Sequence, residues 1–162
     1  MTVARPRPCS IANSLAVIGE RWSLLALREV FLGVRRFDQI AANTGASRDI
    51  LTARLKKLVE HGVLAKELYQ AHPPRYEYTL TETGLALHPV LLALKEWGDL
   101  YVTEGEPPTV FGHDCGAELH PRTVCDACSR PVPLDSTHAI RIGGIPQHSG
   151  ADAPDGPSST ST

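Results

Sequence analysis

RRFDQIAANTGASRDILTARLKKLVEHGVLAKELYQAHPPRYEYTLTETG, residues 35–84, is the stretch on which the fold turns. Asp38 to Asn43 has helical spacing, with Phe37, Ile40 and Ala41 on one inward face. Thr44-Gly45 follows as a tight turn, where glycine tolerates a positive φ. Ser47 is the expected N-cap of a second helix that ends at the glycine stop His61-Gly62. On that helix Leu51, Leu55 and Leu58 fall within one arc, flanked by Ile50 and Val59. The opposite arc holds Asp49, Thr52, Ala53, Lys56, Lys57 and Glu60. Leu64 to Gln70 and Tyr76 to Thr81 are strand-like, and the prolines of His72-Pro73-Pro74-Arg75 fit only a hairpin tip. Two short helices, a hairpin and a further helix, in that order, predict a winged helix-turn-helix, whose usual work is to place one helix in the major groove of DNA.

Outward from this stretch, Ser10 to Ile18 has helical spacing through Ile11, Leu15 and Ile18, with Ser10 as its expected N-cap. Gly19 interrupts it, Trp22 to Leu32 resumes it, and Gly33 closes the second helix. Glu82 to Val102 reads as one last helix carrying Leu85, Val90, Leu91, Leu94, Trp97 and Tyr101, kinked at Pro89. Trp22, Trp97 and Tyr101 are expected to bury area in a core or a dimer interface rather than to cage a ligand. The fold class is therefore mainly α with a small β-hairpin wing, plus a small cysteine-bearing C-terminal extension. Its expected domains are 9–103 for DNA binding and dimerisation, a linker at 104–110, a Cys/His segment at 111–142 and a disordered tail at 146–162.

Composition narrows the function. The formal net charge of −2 averages unlike halves. Residues 1–103 hold thirteen Lys and Arg against ten Asp and Glu, whereas residues 104–162 hold three against eight. The basic half is the one that matters for nucleic acid, because that footprint is local. No apolar run is long enough to cross a bilayer, and no apolar segment of signal-peptide length follows the basic start MTVARPRPCS. Four cysteines, unevenly placed, do not make a disulfide scaffold, so a cytoplasmic protein with reduced thiols or metal ligands is expected.

The DNA-facing candidates are Asp49, Thr52, Lys56 and Lys57 on the second helix of the motif, with Ser47 and Arg48 at its N-terminal end. Lys and Arg bond guanine edges or phosphates, and Thr serves a base or the backbone. Arg75 at the wing tip, with His72 nearby, suits the minor groove or flanking phosphates; the alternative is an ordinary exposed arginine. Arg35 and Arg36 suit phosphate, or else pair with an acid such as Glu29.

The C-terminal segment offers Cys125-x-x-Cys128, a zinc-knuckle spacing, with Cys115 and either His113 or His120 to complete a tetrahedral set. So short a segment, poor in large apolar residues, needs such a staple to fold. Only one paired motif is clear, so a redox-active cysteine pair or unligated thiols stay open. No helix-borne His pair accompanies the cluster, so catalytic zinc is not expected, and the chain is read as no enzyme.

Several pieces together resemble the HxlR family of bacterial transcriptional regulators, a branch near the MarR-type winged-helix proteins. They are Cys9-Ser10-Ile11, Ile18-Gly19-Glu20-Arg21-Trp22, Arg36-Phe37-Asp38-Gln39-Ile40, Leu51 to Leu58, Arg75 to Thr81, and Gly84. The resemblance covers about residues 9–103 and implies a homodimer built on the first and last helices of the domain. Such a dimer binds double-stranded DNA at a palindromic operator with half-sites about one helical turn (~10 bp) or a multiple apart. Most such proteins repress, though some activate. Some sense oxidants or electrophiles through a cysteine just before the first helix, where Cys9 stands; a helix dipole and Arg7 would favour its thiolate. A redox-sensing regulator and a metal-binding interaction module are the competing functions.

Overall fold

The computed structural model describes residues 7–142 and 145–146. By its contacts the chain divides into a larger unit, Ser10–Arg122, and a smaller one that takes Met1–Cys9 together with Thr123–Thr162, so that the second boundary falls inside the cysteine segment rather than ahead of it. The tail expected at 146–162 lies, past residue 146, outside the described residues.

The larger unit contains six helices and one hairpin among its described residues: α1 (Ser10–Ile18), α2 (Arg21–Phe31), α3 (Phe37–Thr44), α4 (Arg48–Glu60), β1 (Leu64–Gln70), β2 (Arg75–Leu80), α5 (Glu82–Leu85) and α6 (His88–Tyr101). It is a winged helix-turn-helix, as the sequence predicts. Ser10 is the first residue of α1 rather than its cap. Between α3 and α4 the chain reverses through Gly45, at φ +73°, which an L side chain adopts only with strain. Ser47 then starts α4, its Oγ accepting from the Ile50 N–H at 3.4 Å. A cap of this kind stabilises a helix by about 1 kcal/mol.

Leu51, Leu55 and Leu58 are fully buried, against Leu27 of α2 and Ile40 of α3. Each such side chain contributes about 1.5–3 kcal/mol by leaving water. Val63 and Leu64 at the start of β1 and Tyr78 of β2 extend the core under the wing. Burial pushes the Tyr78 hydroxyl above its ordinary pKa. Ile50 departs from the expected dry face; it is 39% exposed, at the edge of the arc. One polar contact fixes α3 to α2. The buried Glu29 carboxylate accepts from Arg28 Nε and Nη2 (2.9 and 2.6 Å) and from Asn43 Nδ2 (2.7 Å).

The single helix expected over 82–102 is broken into α5 and α6 at Ala86–Leu87. Pro89 lies in the first turn of α6, where its missing N–H would have had no helical partner, so it begins a helix instead of kinking one. Upstream, Thr81 Oγ1 donates to the Gly62 carbonyl at 2.5 Å and accepts from the Gly84 N–H at 3.1 Å. Gly84 is buried so tightly that a Cβ there would collide with the Val63 carbonyl oxygen. These contacts pin α5 to the end of α4 and leave α6 to set out in its own direction.

The smaller unit contains, among its described residues, a 3-10 turn at Leu134–Ser136 and a short hairpin of β3 (Arg141–Ile142) and β4 (Ile145–Pro146). Every residue described from 123 to 141 is exposed, so this stretch has no apolar core of its own.

Candidate nucleic-acid interface

The buried leucine arc of α4 dictates which side of that helix meets solvent. Asp49, the adjacent pair Thr52 and Ala53, and Lys56, a turn apart from one another, are all exposed and form one stripe. The other basic groups of α4 are turned aside. Arg48 donates to Asp38 Oδ1 at 2.7 Å and lies over the Phe37 ring, 4.9 Å from its centroid, so it binds α4 to α3. Arg54 is half-buried and faces Glu20 at 3.8 Å. Lys57 is half-buried, and its carbonyl lies 2.9 Å from His61 Nδ1. Lys56 alone of the four points out along the stripe, 3.7 Å from Glu60, an exposed pair worth only a few tenths of a kcal/mol. Ser47 is spent on the cap and offers the N-terminal end of α4 rather than a free hydroxyl.

The wing pairs Leu64 with Leu80 through to Gln70 with Arg75, with a shift of register between Leu68 and Gln70. Gln70 Nε2 donates to the His72 carbonyl at 3.1 Å and closes the tip, beside which Arg75 is exposed. The residues ahead of α3 join the wing, since the Tyr78 N–H donates to the Arg35 carbonyl (2.9 Å) and the backbone of Arg36 pairs antiparallel with that of Glu77. The Arg36 side chain does not pair with Glu29, whose carboxylate Arg28 and Asn43 occupy. Its guanidinium instead lies over the Tyr69 ring, 4.9 Å from the centroid. Lys66, with its ammonium 4.0 Å from the centroid of Tyr76, is an exposed wing cation that hydrophobic periodicity passed over. A lysine flanked by aromatics across a hairpin was the available signal.

All four cysteines are free and exposed, Cys9 just ahead of α1. In the larger unit, His113 and Cys115 share one turn. The Gly116 N–H donates to the His113 carbonyl (2.8 Å) and the Cys115 N–H to His113 Nδ1 (3.3 Å). His120 is engaged elsewhere, with Nδ1 3.2 Å from Glu96 of α6 and Nε2 3.7 Å from Glu118. In the smaller unit, the Cys125 carbonyl accepts from the N–H groups of Cys128 (3.3 Å) and Ser129 (2.7 Å), and Ser129 takes φ +56°. The Arg130 backbone, then its side chain, then Cys125 hydrogen-bond the Cys128 thiol and lower its pKa. Among the described residues no group of three or more His, Cys, Asp or Glu is placed to hold a metal ion.

A capped helix with an exposed polar stripe, preceded by a tight helical turn and followed by a two-stranded wing, defines a helix-turn-helix transcriptional regulator. Residues 17–106 match the model of the HxlR-like helix-turn-helix family, and the chain belongs to that family. It is 43% identical over 125 residues to the HTH-type transcriptional regulator Rv3095 of Mycobacterium tuberculosis, covering 76% of this chain and 79% of the relative. That span is longer than everything up to residue 106, so the likeness continues into the C-terminal extension. The crystal structure of PA1607, described as a candidate transcription factor, superposes with a TM-score of 0.72 at 34% identity, over 82% of this chain and 94% of that one. The redox regulator HypR, in its reduced form, matches at a TM-score of 0.53 and 31% identity over 57% of this chain and 92% of its own. Among the described residues no helix is long and apolar enough to cross a membrane.

Proposed function

We propose that this chain is a non-enzymatic, cytoplasmic repressor that binds a palindromic operator as a homodimer, reading bases with α4 and adding affinity with the wing. The observation that carries the reading is the Asp49–Thr52–Ala53–Lys56 stripe, held outward by three buried leucines on the other side of the same helix. Ser47 and Arg48 stand at the helix end that approaches phosphate, while Lys57, Arg36 and Arg75 flank it. Support for a dimer comes from apolar surface that a monomer leaves in water. Ile11 and Leu15 of α1 and Leu94, Trp97, Leu100 and Tyr101 of α6 are exposed, Trp97 at 56% and Tyr101 at 73%. Sedimentation of the free protein and of its complex with a duplex selected from a random pool tests this reading. Two chains per particle and two per duplex are expected. A single-chain particle would overturn the homodimer, and failure to enrich any duplex would favour a metal-binding interaction module instead.

A second reading adds control by oxidation. Cys9 is exposed at the foot of α1, a helix of the proposed dimer face, and the chain resembles a protein named for redox regulation. Diamide is then expected to release DNA from the wild type and not from Cys9→Ser, measured by mobility shift. Equal release from both proteins would remove Cys9 as the sensor.

Zinc is proposed on sequence spacing, with His113, Cys115, Cys125 and Cys128 as ligands. The exposure of all residues described from 123 to 141 supports the need for a staple there. Of the two histidines, His113 is the better donor because His120 faces two carboxylates. Elemental analysis of the purified chain is expected to give one zinc per chain, falling to none in Cys125→Ser/Cys128→Ser. A metal-free wild type purified without chelator would contradict it.

A further inference from the structure

Asp49 is the second residue of α4 and the one carboxylate of its first turn. The usual local uses of such a residue are taken by others. Ser47 supplies the cap, its Oγ accepting from the Ile50 N–H. The neighbouring cation, Arg48, is held by Asp38 at 2.7 Å. Ion-pair partners along a helix stand three or four residues away, and there α4 offers only the uncharged Thr52 and Ala53. What remains is the positive end of the helix dipole, which favours the charge without using the lone pairs of its oxygens. The stripe that faces outward therefore begins with an exposed carboxylate that has no cation beside it on α4.

We propose that Asp49 is a specificity-determining residue, its carboxylate accepting from the N4 amino group of a cytosine in the operator half-site. The inference rests on the reading of α4 as the helix that enters the major groove, where residues at the N-terminal end meet base edges. A carboxylate is repelled by phosphates and can only accept hydrogen bonds. In the major groove the donors are N4 of cytosine and N6 of adenine, whereas guanine offers N7 and O6 and thymine O4, all acceptors. Adenine also sets its N7 acceptor beside the amino group, against the second carboxylate oxygen; cytosine sets none there. The side chain is short, but its exposed neighbours one turn on, Thr52 and Ala53, are small and let a groove approach the helix closely. Asp49 thus rejects wrong sequences by repulsion as much as it selects the right one by a bond.

Selection of duplexes from a random pool by the full chain, by Asp49→Ala and by Asp49→Asn tests this, followed by anisotropy titration of the selected duplex and its single-base variants. The wild type is expected to require cytosine at one position of each half-site, with guanine or thymine there binding about tenfold more weakly. Asp49→Ala is expected to lose preference at that position alone. It should also bind an unrelated duplex more tightly than the wild type, the reverse of Lys56→Ala, because a negative charge has gone. Asp49→Asn is expected to move the preference to adenine, whose N6 and N7 an amide bonds as a pair. A role confined to the helix dipole produces neither change. A motif enriched by the wild type and unaltered in both variants would overturn the assignment while leaving α4 as the reading helix. Loss of the whole motif in Asp49→Ala with a lowered thermal midpoint would also overturn it, since Asp49 would then serve the fold. Failure of the wild type to enrich any motif would remove the DNA-binding reading itself, and this assignment with it.

Discussion

Thr52→Ala and Lys56→Ala, each made in the full chain, are expected to weaken binding to a selected operator by about 5- to 150-fold, the range of a lost base contact of ~1–3 kcal/mol. Both residues lie on the one α4 stripe that the core turns outward. Neither supports the fold: Thr52 is exposed, and Lys56 has only the loose 3.7 Å contact with Glu60. Far-ultraviolet circular dichroism and thermal midpoint should therefore stay at wild-type values while affinity falls. The two substitutions separate by what they touch. If Lys56 meets phosphate, its loss weakens all sequences alike and reduces the salt slope by about 1. If it meets a guanine edge, specificity relaxes at one operator position. Arg75→Ala is expected to act in the first manner, since Arg75 is at the wing tip and not on α4. Fluorescence anisotropy at fixed salt distinguishes these cases, and unchanged affinity in all three variants would remove the contact assignment.

Leu55→Ala is expected to cost about 2–5 kcal/mol of stability, a large share of the ~5–15 kcal/mol that a domain has in total. Leu55 is fully buried in the cluster with Leu27, Ile40, Leu51 and Leu58, where the helices of the motif meet. The neighbouring Ile50→Ala should cost less than about 1 kcal/mol, because Ile50 is already partly in water. Urea unfolding with an unchanged m-value checks both. Equal losses at the two positions would mean that the helix is not seated as described.

What could be read from the sequence was local. The cap at Ser47, the left-handed turn at Gly45 and the leucine arc of α4 each depend on residues within a turn or two, and periodicity exposes them. The α5–α6 break did not follow from periodicity, because Pro89 fits either a kinked helix interior or a first turn. Contacts of Thr81 and Gly84 with the Gly62–Val63 corner, some twenty residues earlier, decide between them. The DNA face was legible as an arc but not in its charge. Counting Lys and Arg on α4 could not reveal that Arg48 is held by Asp38 or that Arg54 faces Glu20. The aromatics of α6 were assigned to a core or a dimer interface, and in the single chain Trp97 and Tyr101 are exposed rather than in the core.

The proposed recognition of an operator depends on α4 reading bases. The most direct test is selection of genomic DNA fragments by the wild type and by the Thr52→Ala/Lys56→Ala double variant under identical salt. The predicted result is a two-fold symmetric motif enriched by the wild type, with preference lost at defined positions of each half-site in the variant. Enrichment of the same fragments to the same extent by both proteins would contradict the assignment of α4 as the reading helix.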